Sequence, residues 1–192
     1  MDFGAIRRIT SRLWGPVCAV TAAYDGEASG QIAVGVLSAS ILSDHPRVLI
    51  EIWKANRTHD LIAAGRAFAV HPLAADHTAI VRLLGFRSGH DGAGKLDGLR
   101  WAPGLTGSPI LGGMPGFLEC RVAGTLDATD MTVFLGTVVA GEWCGGETPM
   151  VQAYEMIGAM PVEWQEEYRR HDLAQREAAA HLLGAAAEKA PA

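Results

Sequence analysis

The sequence predicts a mainly β, α+β fold: a small antiparallel barrel with short helices added, ending in one long helix. Three observations predict it. About six or seven strand-like runs follow one another with few helices between them, so the strict alternation of a doubly wound parallel sheet is missing. Two of those runs, GFLECRVAGTLDA (116–128) and MTVFLGTVVAGEW (131–143), meet at a short Asp-Ala-Thr-Asp turn, a hairpin signal. After Pro161 the composition turns to Ala, Glu and Arg, which favour a helix, and Trp164, Tyr168, Leu182 and Leu183 could pack it on its own barrel or a partner's.

The elements follow in order. Residues 5–12 form a short helix leading to Trp14, Gly15 and Pro16, and PVCAVTAAY (16–24) is the first strand. DGEASG (25–30) is a turn, and QIAVGVLSASILS (31–43) is a β-leaning run loosened by Gly35 and closed by Asp44, His45 and Pro46. RVLIEIW (47–53) is the clearest strand, and THDLIAAG (58–65) a two-turn helix ending at Gly65. RAFAVHPL (66–73) returns as a strand, DHTAIVRLLGF (76–86) as a helix, and a Gly-rich charged loop spans 85–98. The terminal helix is expected over about 161–183, with Pro161 at its first position and Glu163, Glu166 and Glu167 near the positive end of its dipole. The domain expectation is a barrel over 1–160 and a helical extension over 161–192, whose Ala-rich end frays.

Composition narrows the function classes. The 192 residues are 49% hydrophobic and 19% charged, which suits one domain with a full core. A net charge of −5 disfavours nucleic-acid binding, which needs a basic face to displace counterions. Apolar runs are interrupted well short of the ~20 residues that span a bilayer, so no membrane partner is expected. Arg7, Arg8 and Arg12 precede an apolar stretch too short and impure for a signal peptide, so the expected compartment is the cytoplasm. Cys18, Cys120 and Cys144 are odd in number and far apart, which predicts buried thiols in a reducing compartment.

GHDGAGK (89–95) fits a phosphate-binding loop pattern, but Leu96 stands where that loop needs a magnesium-holding hydroxyl, and the preceding segment is helical. The loop either folds over an anion with Arg87 and Lys95 at its ends, or is a solvated surface loop. The seven histidines show no metal-ligand spacing, and no G-x-S-x-G elbow is present. The richest stretch is IEIWKANRTHDLI (50–62), which gathers Lys54, Asn56, Arg57, Thr58 and His59 where a strand gives way to a helix. Two readings stand for it. The helix is simply capped, or its free amides and positive dipole end seat a phosphate.

The order of these features resembles the flavin reductase-like family, whose members carry FMN on a Greek-key split β-barrel. The resemblance runs through AVGVLSASILSDHP (33–46), RVLIEIW (47–53), KANRTHDLI (54–62) and RAFAVHPL (66–73). It continues through FRSGHDGAGKLDGLRWAPG (86–104), SPILGGMPGFLECRV (108–122) and TDMTVFLGTV (129–138). It implies FMN, or FAD, with the ring along the backbone of residues 34–38. Val36, Leu37, Ser38 and Ser40 line ring and ribityl chain, and Glu51, Ile52 and Trp53 come from the next strand. Asn56, Thr58 and His59 meet the phosphate, and Arg87 closes from the far loop. The implied activity is an NAD(P)H-dependent flavin oxidoreductase, with NADH or NADPH as co-substrate, passing electrons to free flavin or a partner monooxygenase, the protein itself being a homodimer. No catalytic residue is implied, because the flavin does the redox chemistry.

The chain departs from the family pattern in three places. Val36 and Leu37 stand where hydroxyl residues are usual, Met131 falls where a His is common, and PMVQAYEMIGAMP (149–161) lacks the nicotinamide-side motif. These departures motivate the alternative of a flavin-binding electron carrier without nicotinamide turnover.

Overall fold

The computed structural model describes residues 3–87, 89–90, 94–147 and 149–187. The chain opens with α1 (Phe3–Thr10), then β1 (Cys18–Tyr24), β2 (Glu27–Ala33), β3 (Val36–Ser38) and β4 (Arg47–Trp53). α2 (Arg57–Gly65), β5 (Ala67–Pro72) and α3 (Thr78–Gly85) follow. The small β6 (Trp101–Pro103) and β7 (Pro109–Leu111) precede the long pair β8 (Gly116–Asp127) and β9 (Met131–Trp143). α4 (Ala153–Ala159) and α5 (Val162–Ala187) end the chain.

The main sheet has seven strands in the order β2-β1-β5-β8-β9-β4-β3, and every pairing in it is antiparallel. β2 and β3 are neighbours in the chain yet lie at opposite edges of this sheet. Only Val34 and Gly35 separate them, so the sheet must curl until its edges meet; this is the Greek-key split barrel. The seam carries its own hydrogen bonds, from the Gly15 amide to the Val34 carbonyl at 2.8 Å and from the Glu51 amide to the Gly35 carbonyl at 2.9 Å. The run predicted as one strand over 31–43 is therefore two strands, because the chain turns the barrel's corner at Gly35. Glycine is required there: a β-carbon on Gly35 would come within 2.8 Å of the Glu51 Cβ.

Two cores flank the sheet, and the alternation of strand side chains assigns residues to each. Inside the barrel, Val20, Ile50, Ile52, Leu61, Ile62, Phe68, Cys120 and Phe134 pack together. On the outer face, Val17, Ala19, Leu84, Phe86, Met156 and Met160 form a second cluster, to which Trp164 and Tyr168 of α5 add. α5 is also tied to α3 by Arg82, whose Nε donates to Glu167 at 2.8 Å while its guanidinium sits 4.7 Å from the Trp164 ring.

The β1–β2 turn is tighter than expected. Asp25 and Gly26, with φ of 51° and 80°, make the whole connection, so β2 begins at Glu27 and not at residue 31. The β6–β7 hairpin and α4 were not expected from the sequence, since three-residue strands and a seven-residue helix are too short to show a period. One expectation for the thiols is corrected. Cys18 and Cys120 are buried, and burial pushes both thiols up to about 12. Cys144 is exposed, because it lies past the end of β9, beyond the packed part of the ladder. No helix among the described residues is long and apolar enough to cross a membrane.

Candidate functional site

A cavity of about 480 Å³ opens at the barrel seam, between the β2–β3 crossover, the β4–α2 junction, α3 and α5. Its size is that of a small-molecule site. The seam side presents Ala33, Val34 and Gly35, with Glu51 and Trp53 pointing in from β4. Alternation along β4 explains this choice: Glu51 and Trp53 face the cavity, while Ile52 between them is fully buried in the inner core.

At the β4–α2 junction, Asn56 is the residue that reaches the cavity. Its backbone is extended, with φ −99° and ψ 134°, and its side chain makes no capping hydrogen bond, so its amide stays available beside the helix start. The other polar residues of the junction are held elsewhere. Lys54 Nζ donates to Asp127 Oδ1 at 2.6 Å, and Arg57 is paired with Glu27 and, at 3.4 Å, with Asp60. The Lys54 ammonium, together with the Thr129 amide, holds the Asp127 carboxyl below the usual carboxylate range. Thr58 is buried and donates to Ser29 Oγ at 3.3 Å. His59 has Nε2 2.9 Å from Thr132 Oγ1, with its ring stacked obliquely on Phe134.

Of the residues implied by the resemblance, the structure thus gathers Glu51, Trp53, Asn56 and Arg87 around one cavity. Arg87, just past α3, makes no ion pair among the described residues. Val36, Leu37, Ser38 and Ser40 do not line the cavity: Val36 packs on the inner core and Leu37 is 54% exposed. Ser38 and Ser40 donate to local carbonyls, those of Ser40 at 3.4 Å and Leu42 at 3.5 Å.

The cavity also contains Gln31, which sequence reasoning missed, and Lys95, which it placed at the end of the Gly-rich loop. Gln31 of β2 is 5% exposed, and its Oε1 is buried without a hydrogen-bond partner. Lys95 is buried too, its ammonium donating to the Leu84 carbonyl at 2.7 Å, where it complements the negative end of α3. The rest of the 89–95 motif falls partly on residues 91–93, outside the described residues. α5 contributes Tyr168, His171, Asp172, Gln175 and Arg176, spaced along one helical face, and Arg176 Nε donates to Asp172 at 2.7 Å. That spacing was the available signal; nothing local indicated what the face covers.

No group of three or more metal-ligating side chains gathers among the described residues. Instead the site offers the backbone corner at Val34 and Gly35, whose carbonyls accept from Gly15 and Glu51, two aromatic side chains in Trp53 and Tyr168, and the cationic Arg87 on the same cavity as Asn56. Planar stacking surfaces together with an anion seat suit a phosphorylated heteroaromatic ligand.

Residues 10–164 match the model of the flavin reductase like domain. The chain is 32% identical over 157 residues, 80% of its length, to a high molecular weight rubredoxin of Moorella thermoacetica, and 33% identical over 57% of its length to an FMN reductase (NADH) of Agrobacterium fabrum. These matches span 65% and 61% of the relatives' own lengths, so the chain aligns with less than two thirds of each. Among solved structures, an NADH:FAD oxidoreductase of Streptomyces globisporus superposes with a TM-score of 0.65 at 28% identity, covering 74% of this chain and 83% of that one. The curled antiparallel sheet, the cavity at its seam and a family match over most of the chain agree: this protein belongs to the flavin reductase-like family.

Proposed function

We propose that the chain is an NADH- or NADPH-dependent flavin oxidoreductase that holds FMN or FAD in the seam cavity and passes electrons to free flavin or to a partner monooxygenase. The observation that carries this reading is the meeting of Gly35, Glu51, Trp53, Asn56 and Arg87 around one cavity in a member of this family. Relatives named FMN reductase (NADH), NADH-dependent FAD reductase and flavin-dependent monooxygenase reductase subunit support it. So does the similar oxidoreductase solved with NAD and FAD fragments.

A bound flavin supplies the hydride-accepting chemistry, so the chain's residues have to position and shield, not to attack. Arg87 and the Asn56 carboxamide would hold the phosphate at the α2 N-terminus, where helix amides already favour an anion. The backbone of the Val34–Gly35 corner would lie along the ring's edge, and Trp53 would cover one side of it. α5 walls the cavity with Tyr168 and Gln175 and keeps bulk water off that side. Ser38 and Ser40, on the crossover to β4, would contribute at most from the rim, and Thr58 and His59 would act by fixing the helix start. Ile52 points into the inner core, so only its backbone could meet a ligand.

The reading includes a homodimer. Leu37, Ile41 and Leu42, on the edge strand β3 and the loop after it, are 54%, 101% and 56% exposed, more apolar surface than a lone edge needs. The buried reduced thiols of Cys18 and Cys120 fit a cytoplasmic protein.

Two observations favour the second reading, an electron carrier without nicotinamide turnover. Residues 149–161 carry no nicotinamide-side motif, and the relative matched over 80% of the chain is named a rubredoxin. One experiment separates the two. Protein loaded with FMN is mixed without oxygen with NADH, then NADPH, and the visible absorption band of the oxidised flavin is followed. Rapid bleaching supports the oxidoreductase, a yellow protein inert to both selects the carrier, and a protein that takes up no flavin ends both readings.

A further inference from the structure

Gln31 stands out among the groups the proposed function leaves unused. It lies in β2, whose other side chains are small or apolar apart from Ser29 and Glu27, and it is paired across the ladder with Val20 of the inner core. It is 95% buried, it lines the seam cavity, and its Oε1 has no hydrogen-bond partner. A buried carbonyl oxygen left unpaired is costly, and native proteins retain few of them. Its strand neighbours are satisfied differently: Ser29 accepts from Thr58, and Ala33 has nothing to satisfy. Packing does not explain the amide either, since Leu or Met would fill the same volume without an orphaned atom.

We propose that Gln31 is a ligand-recognition residue: its carboxamide accepts the N–H of a planar amide or imide at the inner end of the cavity. Two ligands of the flavin reading carry such a group, the imide edge of the flavin ring and the carboxamide of nicotinamide. The inference rests on that reading for the ligand's identity, but the unpaired Oε1 stands without it. Gln31 combines burial with the unfilled acceptor, while Asn56 and Arg87 line the same cavity and hold the phosphate in the proposed function. The consequence is a residue whose removal helps the empty protein and harms the loaded one, the reverse of what a structural glutamine does.

The experiment compares the wild type with Gln31→Leu and Gln31→Met. Urea unfolding of the ligand-free proteins is the first measurement, and the expected result is a midpoint unchanged or raised in both variants. The second is riboflavin binding by fluorescence quenching, with N3-methylriboflavin as the probe that lacks the imide hydrogen. Riboflavin is expected to bind the variants about three- to ten-fold more weakly, the worth of one hydrogen bond. N3-methylriboflavin is expected to bind all three proteins alike. Should riboflavin bind all three equally while NAD⁺ binds the flavin-loaded variants more weakly, the carboxamide is the partner and the proposal stands. A lowered unfolding midpoint or failure to fold in both variants overturns it, as does equal binding of riboflavin and of NAD⁺ to all three. If the wild type binds neither ligand, the flavin reading falls with it; if the wild type binds riboflavin and the variants match it on both ligands, only the role of Gln31 falls.

Discussion

Acid should unfold this protein through one histidine. His71 is fully buried between β1 and β7: its Nδ1 lies 3.4 Å from the Ala19 carbonyl, and its Nε2 accepts from the Leu111 amide at 3.1 Å. That arrangement needs the neutral ring with its hydrogen on Nδ1. Burial holds the pKa at about 4, against 6.5 for an unperturbed His; the Ala19 carbonyl and the Glu119 carboxylate oppose this only weakly. The depressed pKa means that the unfolded chain binds the proton first as pH falls. The native state therefore loses nothing above pH 6.5 and loses stability progressively from there down to about pH 4. Between about pH 7.5 and about pH 4.5 the loss is roughly 2–3 kcal/mol from this group. Urea unfolding at both pH values measures it, with His71→Leu as the reference. Near neutral pH the variant is less stable by about 1–3 kcal/mol, because Leu111 N–H and Ala19 C=O lose their partner, and this deficit closes as pH falls towards about 4.5. Its pH dependence should be about 2–3 kcal/mol flatter, because the carboxylates titrate alike in both proteins. Equal slopes for the two proteins would refute the assignment of a neutral, buried imidazole.

Arg87→Ala should weaken FMN binding by about ten-fold or more and leave riboflavin within about two-fold, since a charge-assisted hydrogen bond to phosphate is worth ~1.5–3 kcal/mol. Fluorescence titration of both flavins checks it, and equal losses would move the phosphate away from Arg87. Cys144 is the exposed thiol, while Cys18 and Cys120 are buried with pKa values pushed up to about 12. Native protein treated with iodoacetamide should therefore gain a single adduct by mass spectrometry, and urea-unfolded protein one at each cysteine.

How far the sequence could be read depended on the range of the interactions concerned. RVLIEIW matches β4 residue for residue, and the β8–β9 hairpin and α5 lie close to where period and turn chemistry put them. Strands and helices of that length record their environment in the alternation of their own side chains. The run over 31–43 failed as one strand because both halves are β-leaning. Only the closure of the barrel sends β2 and β3 to opposite edges. The same limit applies at the site. Glu51, Trp53, Asn56 and Arg87 were named in advance, on the family resemblance.

By itself, then, the sequence determined the antiparallel strand set, the polar junction opening α2 and the long terminal helix, all of which are consequences of residues within a few positions of one another. Tertiary structure decided what those residues do. It bound Lys54 to a carboxylate 73 positions away and Arg57 to one 30 positions away, leaving Asn56 and Arg87 at the cavity. It also laid α5 along the same cavity and left the Gln31 Oε1 buried without a hydrogen-bond partner. The reason is physical: a charge or an amide has no fixed role until folding sets its distance from other groups and from water, and no local pattern encodes those distances.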